Sequence, residues 1–156
     1  MTKFHKHLAA AAALAAYLAA PASAFAQSAT VIELTQTPCQ FLESENGVDH
    51  GYQSAQQSDC ETVNAQTANA RLAEAKVFTL KPGRYIFRVR NQNVSYPLGF
   101  WLRGDGLVGR ATLPSVSGGG LTQGTTRDYE ITLKPGEYVY SCPLNPTPDY
   151  KLRVED

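Results

Sequence analysis

The alternation of apolar and polar positions divides the chain into short segments of period two, interrupted once by a helical period. Thr30–Thr37 sets Val31, Glu33 and Thr35 against Ile32, Leu34 and Gln36, which predicts a first strand ending at Pro38-Cys39. Residues 41–57 are polar and turn-rich, with Asn46-Gly47 and His50-Gly51, and read as a loop or loose hairpin. Ser58-Asp59-Cys60-Glu61 has the spacing of a capping box, with Ser58 as N-cap and Glu61 reaching back. Ala65, Ala68, Leu72 and Ala75 then recur at helical intervals, predicting one short helix over residues 59–75.

From Lys76 the period is two again. Residues 76–80 and 85–90 flank a Lys-Pro-Gly turn and place Tyr85, Phe87 and Val89 on one face. Residues 96–103 start another strand, and 104–124 read as a long connection with flexible Gly118-Gly119-Gly120 and a short strand at 110–113. Residues 125–133 keep Tyr129, Ile131 and Leu133 in phase. A second Lys-Pro-Gly turn leads through Tyr138, Val139 and Tyr140 to Cys142 and a proline-stiffened loop, and Leu152 and Val154 alternate with charges in a closing strand. Thr79-Leu80-Lys81-Pro82-Gly83-Arg84-Tyr85 is echoed by Thr132-Leu133-Lys134-Pro135-Gly136-Glu137-Tyr138. Two copies of one strand-turn-strand device suit an all-β, Greek-key β-sandwich with one short helical insertion at about 41–75, and not a solenoid.

The first residues stand apart from this pattern. Lys3 and Lys6 precede an apolar, Ala-rich run, and Ala24-Phe25-Ala26 supplies a small-residue cleavage site. Residues 1–26 therefore read as a signal peptide, cut after Ala26, too short for a transmembrane anchor. Residues 27–156 remain as one exported domain, periplasmic or secreted. Of 14 basic and 14 acidic residues, Lys3 and Lys6 leave with the leader, so 12 stand against 14 and the net charge is near −2. With no basic patch, nucleic acid is not an expected partner, and no membrane span is expected.

Three segments carry a family resemblance: Ala75 to Asn91 (AKVFTLKPGRYIFRVRN), Asn93 to Leu102 (NVSYPLGFWL) and Thr132 to Val154 (TLKPGEYVYSCPLNPTPDYKLRV). They resemble the cupredoxins, the blue-copper family. The resemblance implies a type 1 copper site of two imidazoles, a thiolate and a weak axial ligand. It places the first histidine at Leu98, the thiolate at Cys142, the second histidine at Asn145 and the axial methionine near Tyr150. Three of the four positions have lost their ligand. Of three histidines, His5 and His7 belong to the leader, and the one methionine is Met1. His50 remains, so a His-His-Cys-Met centre cannot be built from residues 27–156. The chain also resembles the cupredoxin-like domain of periplasmic iron-uptake proteins, in which Cys39 and Cys142 are the matching pair; the insertion at 41–75 is the departure.

Three cysteines in an exported chain leave one over after a disulfide. Cys39–Cys60 would tether the insertion to the first strand, closing a loop worth roughly 3 kcal/mol. Cys39–Cys142 would clamp the first strand to the ligand loop, and Cys60–Cys142 is the third pairing. Alternatively Cys142 and Cys39, with Glu43 or Asp149, would hold copper, zinc or iron. A free Cys60 at a helix N-terminus would be redox-reactive.

Lone His50 reads as a solvated loop residue and offers no catalytic pair, so no enzyme is expected. Gly118-Gly119-Gly120 lacks the Lys-Ser/Thr of a phosphate loop. Arg103-Gly104-Asp105 reads as a turn. Tyr96, Phe100 and Trp101 read as core plus one exposed ring beside the Cys142 loop. The expected function is an exported binding or accessory protein, in periplasmic metal handling, without a resident cofactor and with a protein or a metal ion as partner. The alternative is a copper-binding electron-transfer or redox protein using Cys142 and Cys39, and a thiol enzyme is the third class.

Overall fold

The computed structural model describes residues 28–156, so the leader assigned to residues 1–26 lies outside the described residues. Among the described residues, nine strands form two sheets: β1 (Thr30–Thr37), β2 (Gln40–Phe41), β3 (Phe78–Leu80), β4 (Gly83–Asn91), β5 (Leu98–Gly104), β6 (Val116–Leu121), β7 (Thr126–Leu133), β8 (Gly136–Ser141) and β9 (Tyr150–Val154). One sheet has the order β2-β1-β4-β7 and the other β3-β9-β8-β5-β6. β1 runs parallel to β4 and β3 parallel to β9; the remaining pairs are antiparallel. The inward residues of both sheets make one core, in which Leu34, Phe87, Val89, Tyr129, Leu133, Phe100, Leu102, Tyr138, Tyr140 and Leu152 are buried. Those are the in-phase positions of the strand patterns, because alternate side chains of a strand share a face.

The two Lys-Pro-Gly turns meet at one end of the sandwich, where Gly83 is paired with Leu133. Gly83 and Gly136 take φ of 156° and 151°, a backbone that side-chain-bearing residues rarely adopt, which explains why the echo keeps glycine. At the opposite end, Gln36 is paired with Asn91, and the chain leaving β8 reaches Cys142. The insertion between β2 and β3 contains a 3-10 turn (Leu42–Glu45) and helix α1 (Gln57–Glu74).

Three local expectations are corrected. The helix starts earlier than Asp59, because the Asp59 carboxylate itself accepts the Ala55 and Gln56 N–H groups at 2.8 and 3.1 Å, so Asp59 does the capping assigned to Glu61. Residues 110–113 are not a strand: a second helix, α2 (Gly106–Thr112), packs on β5. Gly104 and Gly109 allow that approach, since a Cβ on Gly104 would lie 2.2 Å from the Gly109 carbonyl oxygen. Gly118-Gly119-Gly120 is not a flexible connection but the middle of β6, whose carbonyls accept bonds from Arg127 and Tyr129.

Candidate functional site

Cys142 follows β8 directly and is 1% exposed. Its Sγ accepts two main-chain N–H groups, from Gly99 at 3.3 Å and from Asn145 at 3.2 Å. Gly99 is available because the β5–β6 register shifts between Leu98 and Phe100. Such an irregularity releases backbone groups from the ladder and re-aims them. The Gly99 N–H turns to the sulfur, and its carbonyl accepts Gln36 Nε2 at 2.9 Å. A Cβ there would lie 2.8 Å from the Gly118 carbonyl oxygen, so the position requires glycine. Burial pushes the Cys142 thiol up, and the N–H groups of Gly99, Asn145 and Leu144 only partly offset this.

The three positions at which the resemblance would place copper ligands, Leu98, Asn145 and Tyr150, all lie in the interior. Leu98 is fully buried in the apolar core. Asn145, also fully buried, joins three segments. Its Nδ2 donates to the Thr37 carbonyl at 3.1 Å, and its Oδ1 accepts from the Cys39 N–H at 3.0 Å and the Tyr96 hydroxyl at 3.2 Å. Tyr150 is fully buried, and its hydroxyl donates to Glu45 Oε1 and accepts from Arg71 Nη2 at 3.2 Å.

Cys39 and Cys60 form a disulfide, and Cys142 is the free cysteine, settling the pairing among the three alternatives. Neither bridged sulfur is a thiolate while the bond stands, so a free reactive Cys60 is not present. The carboxylates offered as co-ligands are engaged elsewhere: Glu43 Oε2 accepts the Thr35 N–H at 2.6 Å, and Asp149 Oδ1 accepts Arg103 Nη2 at 2.7 Å. Among the described residues, no three His, Cys, Asp or Glu side chains converge to hold a metal ion.

The insertion covers the Cys142 end. Asn64 of α1 donates to the Pro146 carbonyl, the Tyr96 and Ser54 hydroxyls are bonded, and Cys60 Sγ lies 3.0 Å from Asn145 Oδ1. Beneath it sits a cluster that sequence reasoning missed. Arg71 spans Glu45, with Nη2 2.6 Å from Oε1, and also donates to the Cys39 carbonyl at 2.9 Å and Asn64 Oδ1 at 2.9 Å. Burial alone would raise the Glu45 carboxyl, but hydrogen bonds from Arg71, Tyr150 and His50, with the Arg71 charge, outweigh it and hold it below the usual range. His50 lies in the exposed loop expected of it and is also engaged there: its Nε2 lies 2.6 Å from Glu45 Oε2 and its ring stacks on Tyr52. Glu45, His50 and Arg71 line one side of a cavity of about 300 Å³ completed by Val48 and Ala70. Arg71 stands three residues after Ala68 and four before Ala75, flanking the alanine stripe, but as a charged residue it carries no apolar signal that periodicity could reveal.

A second, mainly apolar groove of about 400 Å³ lies beside the cysteine loop, between Trp101, Gly118, Gly119, Pro143 and Leu144. Leu144 is 41% exposed there, whereas none of the three rings is: Phe100 is buried, Tyr96 and Trp101 are half-buried, and the Arg103 guanidinium lies 4.0 Å over the Trp101 ring, so the expected exposed ring is corrected.

No protein-family model and no curated protein matches the chain. Among solved structures it is similar to auracyanin B, with a TM-score of 0.50 and 14% identity over 82% of this chain and 90% of that one. The likeness concerns the fold, which is cupredoxin-like.

Proposed function

We propose that the protein is an exported cupredoxin-like binding or accessory protein, without enzymatic activity or a type 1 copper centre, working in periplasmic metal handling. One observation carries the reading: the side chains around Cys142 are committed to holding the fold. Asn145 ties its loop to the β1–β2 corner at Thr37 and Cys39 and to the Tyr96 hydroxyl, Tyr150 is bonded to Glu45 and Arg71, and Leu98 is core. A type 1 centre needs two imidazoles beside its thiolate, and the one histidine among the described residues, His50, is bonded to Glu45. The donor set does not fit that group. A degenerate copper site is the reading these residues support. The kinship with iron-uptake domains belongs to the same proposal and rests on Cys39 closing β1 and Cys142 following β8; here Cys39 is bridged to Cys60. The disulfide fits an oxidising compartment, and no helix of the described residues is long and apolar enough to cross a membrane.

In this reading the groove beside Trp101 and Leu144 is the docking face for a protein partner. The rival reading, a copper redox protein using Cys142 and Cys39, requires the Cys39–Cys60 bond to be opened first. Adding Cu(II) to the oxidised and then to the reduced protein separates them. We expect no intense visible absorption from copper–thiolate bonding in either state and no stoichiometric copper after desalting. A blue, stoichiometric complex in either state would overturn the proposal.

A further inference from the structure

Asn145 is in contact with both halves of the cysteine chemistry. Its main-chain N–H is 3.2 Å from Cys142 Sγ, and its Oδ1 is 3.0 Å from Cys60 Sγ in the bridge to Cys39. The free thiol and the disulfide are therefore separated by one residue, in a loop carrying Pro143, Pro146 and Pro148. The same disulfide fastens the capping helix α1 to the β1–β2 corner, and Cys39 also lends its carbonyl to Arg71 and its N–H to Asn145. The corner is shaped for this, since Cys39 itself takes a left-handed φ of 66°. Nothing in the proposed function uses the proximity of a third cysteine, and a disulfide meant only as a staple has no need of one.

We propose that Cys142 is the resolving thiol of the Cys39–Cys60 bridge, so that the cap can be handed from the β1–β2 corner to the Cys142 loop by intramolecular thiol–disulfide exchange. Cys142 loses its proton, and its sulfur attacks Cys60 Sγ. The Cys60–Cys142 bond forms as the Cys39–Cys60 bond breaks. Cys39 leaves with the electron pair and takes up the proton, so no external oxidant or reductant is consumed. In the starting state Cys142 Sγ rests on the Asn145 main-chain N–H and Cys60 Sγ on its Oδ1, and burial keeps Cys142 protonated, which makes the exchange latent. Attack requires the 143–148 loop to shift, and the product leaves α1 tied to that loop with the Cys39 corner released. The sulfur attacked is Cys60 because it is the one in contact with the intervening side chain.

The test uses the full-length oxidised protein, incubated between pH 7 and pH 9.5 under conditions where circular dichroism remains native. Samples are quenched in denaturing acid, alkylated, and mapped by mass spectrometry. The expected result is a Cys60–Cys142 peptide together with alkylated Cys39. Its rate of appearance should be independent of protein concentration and rise about tenfold per pH unit while the thiol is mostly protonated. Alkylated Cys142 with an intact Cys39–Cys60 bond at every pH would overturn the relay. So would Cys142-linked dimers, or a rate proportional to protein concentration. A Cys39–Cys142 peptide would overturn the assignment of Cys60 as the sulfur attacked. Each of these outcomes is read on the wild-type chain, so none depends on whether a cysteine variant folds.

Discussion

The two ends of the sandwich are built by different means. The end carrying the Lys-Pro-Gly turns is made of backbone: glycines at positive φ, a glycine contact between β5 and α2, and two turns of one design lying side by side. The cysteine end is made of buried polar side chains, with Gln36, Thr37, Gln40, Ser44, Glu45, Arg71, Asn91, Ser141 and Asn145 all withdrawn from solvent. The first end needs only local geometry. The second holds together because each polar group answers another, since an unanswered buried donor or acceptor costs about 1–3 kcal/mol. Gln36 Oε1 and Thr37 Oγ1 are the exceptions at this end, buried without a partner, and both belong to the residues next to the β1–β2 corner. In this protein the cysteine end carries a crosslinked polar cap.

That contrast can be broken most forcefully at Arg71. Replacing Arg71→Met would leave the Glu45 carboxylate buried without its cation, and stability should fall by about 3–5 kcal/mol in urea unfolding. A loss below about 1 kcal/mol would mean that the cluster is wet or easily rearranged. The same cluster should set the acid limit. Because the Glu45 carboxyl is held below its ordinary value in the folded protein, its contribution is fully present above the unfolded value and disappears as pH falls through the folded one. Unfolding free energy measured from about pH 6 downward should therefore drop below about pH 4, and Glu45→Gln should flatten that drop.

Removing the disulfide with the double substitution C39A/C60A should cost about 3 kcal/mol, the value for closing a loop of this length. The melting curve should also lose cooperativity first at the cap, visible as earlier hydrogen exchange in α1 than in β4 and β7. Exchange that is uniform across the domain would show that the cap is held by Arg71 and Asn145 rather than by the crosslink.

The turn end should respond less. Gly136→Ala adds both an unfavourable φ and a Cβ 2.8 Å from Leu113 Cδ1, whereas the nearest atom to a Cβ on Gly83 is 3.9 Å away. Gly83→Ala should thus cost about 1 kcal/mol from backbone strain alone, with Gly136→Ala costing more by the contact with Leu113. Equal losses at the two positions would mean that Leu113 moves aside freely.

The parts that were legible in the sequence share a physical reason. A strand with one buried face must alternate, so Tyr85, Phe87 and Val89 in β4 and Tyr129, Ile131 and Leu133 in β7 declared their inward face before any pairing was known. The insertion behaved differently. Its helix was visible through alanine spacing, and Leu72 and Ala75 do pack against the core, yet Ala65 is exposed and the fully buried residues are Cys60 and Arg71. Periodicity finds faces that are buried for being apolar, and it could show Leu72 and Ala75 but not Cys60 and Arg71, which are buried because they are bridged and ion-paired. The second helix α2 was missed because its short, glycine-bearing segment is positioned by contact with β5 rather than by local preference.

By itself, then, the chain's order of apolar and polar residues determined β1, β3 to β5 and β7 to β9 but neither β2 nor β6, together with the inward faces of β4 and β7, the two glycine turns and the cysteine between the last two strands. These are consequences of local geometry and of one-sided burial, which act over a few residues. Only the tertiary structure decided which cysteines pair, that the insertion lies over Cys142, and that Glu45, Arg71, His50 and Tyr150 meet. Glu45 and Tyr150 stand 105 positions apart, and no pattern along a chain encodes a charge that is stable only once a distant partner has followed it out of water.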